Sequence, residues 1–175
     1  MKCISLWQPW ASLVVFGAKE YETRSWYTSY RGPLLIHAAK RLVKEELRHY
    51  GTLFEADLDC FRRKEVSVPG MFEPVELERL TLNCLIKNMP FGAIIGQVNL
   101  VDVQSTDWLH ANQKINDKEF NRGNYAYGRF GWKLENPIRF DVAVPYKGSQ
   151  GFFEVDLEEL TRGAFGQAMM ERIKP

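Results

Sequence analysis

The sequence predicts an α+β fold built around a small, closed or curled sheet. Two observations carry that prediction: several short runs of strand type, apolar or alternating, and only a few stretches with helical spacing between them. A length of 175 residues and a hydrophobic fraction of 45% suit one globular domain with a real core and leave room for one elaboration.

Residues 3–6 (Cys-Ile-Ser-Leu) form a short apolar strand. Pro9 suits the first position of a helix, where its missing N–H is no loss. Trp10, Leu13, Val14 and Phe16 make the apolar face of that helix, so Trp10 is assigned to the core, and Gly17 stops it. Residues 21–26 read as a strand, Arg31-Gly32-Pro33 as a turn, and 34–37 as a buried strand ending at His37. Residues 40–50 have amphipathic helical spacing, with Leu42, Val43 and Leu47 inward. Residues 52–90 contain further helical spacing and are read as an insertion between core strands, because no Gly/Ser-rich linker flanks them. The strongest strand signal is 91–103, where Gly96 marks a bend or a close backbone approach. Residues 106–124 are polar, a loop with a short helix. Strands come next at 125–134 and 138–144, divided by Asn136-Pro137, then at 151–155, with a last helix over 157–173.

The formal net charge of +1 excludes a protein that coats nucleic acid by charge alone. Positive charge does collect locally: Lys19, Arg24, Arg31, Lys40, Arg41, Lys44 and Arg48 stand against Glu20, Glu22, Glu45 and Glu46. Cys3, Cys60 and Cys84 are far apart, with neither a Cys-x-x-Cys nor a nearby His, so no metal site or cofactor is expected and the thiols read as reduced. The first residues run straight into folded pattern without a secretory apolar core, and no stretch is long enough to span a bilayer. The expectation is a soluble, cytoplasmic protein.

The segment Gly17-Ala18-Lys19-Glu20-Tyr21-Glu22-Thr23-Arg24 is the densest in chemistry. On a regular strand Lys19 would face away from Glu22 and Arg24. A one-residue bulge at the glycine would bring the three together into a polar cluster able to hold a planar, hydrogen-bonding ligand. Ser5-Leu6-Trp7-Gln8-Pro9-Trp10-Ala11, the spacing Gly17-x-Lys19-x-x-Glu22-x-Arg24-Ser25-Trp26, Arg31-Gly32, Ile36-His37-Ala38-Ala39-Lys40, residues 96–103 and Gly131-Trp132-Lys133-Leu134-Glu135 together resemble the ASCH (activating-signal-cointegrator homology) family. That resemblance implies a PUA-like fold, a small β-barrel with flanking helices and here a helical insertion. It also implies binding of nucleic acid, RNA more than DNA, in a cleft beside the first helix. Some relatives hydrolyse N4-acetylcytidine and another is a ribonuclease.

The expected ligand-binding residues are therefore Trp7, Gln8, Lys19, Glu22, Arg24, Trp26, Lys40, Lys44, Tyr127 and Arg129. Lys19 is a phosphate contact or, in an enzyme, a nucleophile with Glu22 as its working partner; the plain alternative is a solvated lysine. Glu22 accepts from an exocyclic amine and Arg24 reaches a base edge or phosphate; the alternative is a bracing ion pair. Trp7 and Trp26 stand between core and cleft wall. Gln8 offers a donor and an acceptor, or simply starts a helix. Lys40 and Lys44, one helical turn apart, form a phosphate rail. Period-two spacing puts Tyr125, Tyr127 and Arg129 on one strand face as a stacking surface, with Phe130 and Trp132 opposite. Two features count against an amidohydrolase: those relatives carry Thr at the Glu22 position and a Glu where this chain has Gln97, which cannot take a proton. His37 reads as a satisfied core histidine. An adaptor role, with 52–90 docking a protein, is a further possibility.

Overall fold

The computed structural model describes residues 1–42 and 89–161. The strands are β1 (Lys2–Gln8), β2 (Tyr21–Arg24), β3 (Gly32–Leu42), β4 (Ala93–Ser105), β5 (Phe130–Pro145) and β6 (Phe152–Glu154). Among the described residues the helices are short: α1 (Trp10–Val15), α2 (Thr106–Ala111), α3 (Asp117–Phe120) and, after β6, α4 (Leu157–Thr161). The strands form one sheet in the order β2-β5-β4-β3-β1-β6. Among the described strands only β1 and β3 pair in parallel, the crossover being supplied by α1 and β2.

Strand alternation builds two cores on opposite faces. Ile4, Leu6, Leu34 and Ile36 join Val98, Leu100 and Trp132 on the face covered by α1. Cys3 and Leu35 turn the other way to Ile94, Phe140 and Val155. The run Leu34-Leu35-Ile36 is buried on both faces, which explains why it shows no alternation. The sheet curls until its two edges approach. Trp26, just past β2, sets its ring edge-on to Trp132 at 4.6 Å and to Phe152 of β6 at 5.3 Å. The result is a curled, half-barrel sheet.

Gly96 is the close approach expected of it: a Cβ there would lie 2.5 Å from the Ile138 carbonyl oxygen and 2.7 Å from Val15 Cγ1. Other expectations need correction. Residues 40–42 continue β3 instead of opening a helix, because Leu42 stays in register with Gln8 of β1. Residues 125–129 are turn, not strand. Residues 130–145 are one strand: Asn136-Pro137 is absorbed where the β4–β5 register shifts between Gln97 and Asn99, with Asn136 at φ +50°. Residues 106–124 hold two helices rather than one. The remainder of the expected 40–50 helix with Lys44, the expected 52–90 insertion up to residue 88, Cys60, Cys84 and the last helix past 161 lie outside the described residues. Among the described residues no helix is long and apolar enough to cross a membrane.

Candidate nucleic-acid interface

β6 pairs with β1 over Lys2–Ile4, and among the described residues no strand covers the rest of that edge. Across the opening stands β2. The hollow between them has a volume of about 340 Å³, at the small end for a ligand site. Ser5, Leu6 and Trp7 form one wall, and Glu22, Thr23 and Arg24 the other. Trp10 and Lys19 come from α1 and its C-terminal turn, and Arg122, Gly123, Asn124 and Arg129 from the chain before β5.

Lys19 reaches this hollow without a strand bulge. The turn that ends α1 is wound tightly, with the Gly17 N–H donating to the Val14 carbonyl and both the Ala18 and Lys19 N–H groups to that of Leu13. Lys19 leaves this turn before β2 begins at Tyr21, so the alternation of a strand does not govern its direction. Its side chain is 1% exposed. Nζ makes no hydrogen bond among the described residues, and its nearest counter-charge is Glu119 Oε1 at 3.7 Å. Burial pulls the Lys19 pKa below its ordinary 10.5, against the opposing pull of Glu22 and Glu119.

Glu119 is itself buried and heavily used. Its carboxylate accepts the Glu20 and Tyr21 N–H groups at 3.0 Å each and the Tyr125 hydroxyl at 2.9 Å. Burial, then the adjacent Glu119 charge, pushes the Tyr125 phenol well above its usual range, so it stays a donor. Across the hollow, Arg24 Nε lies 3.2 Å from Glu22 Oε1, an ion pair not aligned as a hydrogen bond, while Nη2 donates to the Ser5 carbonyl at 3.0 Å. Arg24 thus straps β2 to β1 across the gap. Arg129 braces the rim, donating to the Asn124 and Thr23 carbonyls at 3.0 and 3.3 Å. Arg122 donates to the Ala18 carbonyl. Gly123 is packed into the inner wall: a Cβ there would sit 2.7 Å from Tyr125 Cε2 and 3.3 Å from Lys19 Nζ. Four cationic side chains, one acceptor carboxylate and two indole rings therefore border one concavity.

A model of the ASCH domain family matches residues 4–143. The chain belongs to the ASCH family. Over 156 residues it is 31% identical to Activating signal cointegrator 1 of Mus musculus and equally to that of Homo sapiens. The match covers 88% of this chain but 22% of each relative, so the chain spans a minor part of those proteins' length. The crystal structure of ASCH from Zymomonas mobilis aligns over 90% of this chain and 89% of that one, at 12% identity and a TM-score of 0.49.

In this ASCH domain the hollow gathers Trp7, Lys19, Glu22, Arg24 and Arg129 of the expected set. It does not gather Gln8, Trp26, Lys40 or Tyr127. Gln8 is fully buried with both ends of its amide engaged, Nε2 donating to the Pro90 carbonyl and Oε1 accepting from Ser12 N–H; it starts α1. Trp26 belongs to the aromatic plug. Lys40 is exposed on β3, its stem over Gly92 and away from the hollow, while Lys44 lies outside the described residues. Tyr127 and Arg129 do not share a strand face; Tyr127 is 77% exposed. Trp10 moves the other way, from core to pocket lining, because α1 is only six residues long and its first turn lies at the rim. Gln97 is buried on β4 and borders no part of the hollow. His37 is satisfied as expected, between Ser5 Oγ at 3.0 Å and the Tyr146 carbonyl at 3.1 Å. Glu119, Arg122, Gly123 and Asn124 escaped the sequence reading, since nothing in a polar stretch shows which residue turns inward. The one available signal was Asn116-x-x-Glu119, a helix start in which Asn116 Oδ1 accepts the Glu119 N–H at 2.9 Å.

Proposed function

We propose that this ASCH domain binds nucleic acid, RNA in preference to DNA, by taking one base or nucleotide into the hollow between β1 and β2. The observation that carries the reading is Lys19: a buried ammonium without a hydrogen bond, set in the wall of a concavity whose rim adds Arg24, Arg122 and Arg129. An anionic or carbonyl-bearing ligand would supply the acceptor that Nζ lacks. Trp7 and Trp10 would present ring faces to the base, and Glu22 would accept from an exocyclic amine. The preference for RNA rests on the family, and the relatives' name, activating signal cointegrator, fits work among macromolecules. We read the chain as one PUA-like domain.

Titration of labelled single-stranded RNA and DNA at two salt concentrations tests this. RNA should bind more tightly than DNA, with a shallow salt slope of about −2 or flatter, because few phosphates are met. Arg24→Ala should weaken binding about tenfold or more. Affinity no better than for polyglutamate would end the reading.

A second reading, hydrolysis of a modified nucleoside or of RNA with Lys19 as nucleophile and Glu22 as its partner, is favoured by the lowered pKa of Lys19, which raises its neutral fraction. The carboxylate nearest Nζ is Glu119, however, which is already committed to three donors. Incubation with N4-acetylcytidine and with single-stranded RNA decides it: turnover that survives Lys19→Ala removes the mechanism.

A further inference from the structure

Three of the large hydrophobic side chains left exposed come from one stretch between β4 and β5: Trp108, Phe120 and Tyr127. The same stretch supplies Arg122, Gly123 and Asn124 to the hollow. Two of these rings are ordered against neighbours. Tyr127, 77% exposed, lies against His110 with ring centres 5.3 Å apart. His110 meets Phe120 at 5.9 Å and is anchored by Nε2 to the Tyr125 carbonyl at 2.8 Å. Phe120, half exposed, stacks on Tyr125 at 5.9 Å and 19°. Tyr125 in turn bonds Glu119, the carboxylate facing Lys19. A line of rings thus runs from the back wall of the hollow out to solvent, and Gly123 fills the space between Tyr125 and Lys19.

We propose that Tyr127, His110 and Phe120 form a stacking ledge for the nucleotides flanking the one held in the hollow, so that the ligand is a single-stranded oligonucleotide rather than a free nucleoside or a duplex. The proposal rests on the reading given above for the hollow itself. Stacking suits this surface because every base has a π-face, and bases in a duplex have those faces covered by their neighbours. The ledge is aromatic where the hollow is cationic: the stretch that carries it has mixed fixed charges, Lys114 and Lys118 alongside Asp107 and Asp117 in the sequence. It therefore adds base contact where the hollow adds charge. Gly128 donates to Asp107 Oδ1 at 3.2 Å, which ties the Tyr127 turn back to α2 and holds the ring in place.

Calorimetric titration of nucleoside 5′-monophosphates, of single-stranded RNA about five nucleotides long and of the same RNA in a duplex, against the wild type, Tyr127→Ala and Tyr127→Phe, tests the ledge. The single strand should bind about tenfold more tightly than the monophosphates. Tyr127→Ala should remove most of that ratio and Tyr127→Phe should keep it, with unfolding midpoints unchanged because the ring is mostly in solvent. A ratio untouched by Tyr127→Ala would overturn the proposal and leave the ledge to a protein partner. So would a duplex that binds as tightly as the single strand. Monophosphates that bind with no gain from length would sink the ledge but not the hollow; absence of binding by any of these ligands would sink both.

Discussion

Lys19 is a cation in a place that penalises cations, and its neighbours show why it is tolerated. Glu119 stands 3.7 Å away, and Glu22 adds a second negative charge. Breaking a buried pair from one side is costly because it leaves the partner's charge uncompensated, but the Glu119 carboxylate keeps three hydrogen-bond donors when the Lys19 ammonium is removed. Lys19→Met should therefore leave stability within about 1 kcal/mol of wild type, or raise it, while abolishing binding; chemical denaturation and RNA titration on one preparation check both. The folded state holds Lys19 below 10.5, so the unfolded chain takes up that proton more readily. The penalty is full below the folded value and fades as pH rises from there toward 10.5, so wild-type stability measured relative to Lys19→Met should climb over that window. Glu119→Gln should cost about 3–5 kcal/mol in the same denaturation assay, because it leaves a buried ammonium without its counter-charge and one of two backbone donors facing an amide nitrogen. The grouping of Lys19, Glu22 and Arg24 was expected through a bulge at the glycine, and the turn that ends α1 supplies it instead. Glu119 was not, because its contact with Lys19 joins residues far apart in the chain and leaves no local pattern.

Elements were readable where local pattern and neighbours agree. The run at 34–37 and the strong strand signal at 91–103 gave strands in the right places. They failed where neighbours decide. Residues 40–42 share helical spacing with 43–50, yet the pairing of Leu42 with Gln8 of β1 holds β3 extended. Asn136-Pro137 looks like a break between strands, but a register shift takes in the extra residues and β5 continues. Gly96 sits near a second such shift, between Ile94 and Gly96, where α1 presses Val15 onto the sheet. Gly96→Val has no room against backbone and should destabilise by about 2–3 kcal/mol, read from the shift in denaturation midpoint. A loss under about 0.5 kcal/mol would mean that α1 packs differently.

At the scale of the molecule, the functional claim depends on a sheet that curls without closing. Aromatic rings draw the two edges together at one end, Trp26 against Trp132 and Phe152, while the short β6 leaves the other end open. Trp26→Ala should cost about 2–3 kcal/mol in thermal or chemical unfolding, less than a fully buried Trp because the ring is only partly enclosed. It should also weaken ligand binding, since β2 and β1 lose their common anchor. The curled sheet was legible from many short strands and few helices, but the opening was not: it exists because β6 begins only at Phe152, the partner of Ile4, a length that no motif encodes. The central claim is that the β1–β2 opening takes a nucleotide. Backbone amide NMR of the isotope-labelled protein, titrated with a single-stranded RNA, tests it most directly. The account predicts the largest shifts at residues 5–7, 19–24 and 122–129. Shifts concentrated on β3, β4 and the Lys40 surface, with those three segments silent, would contradict it.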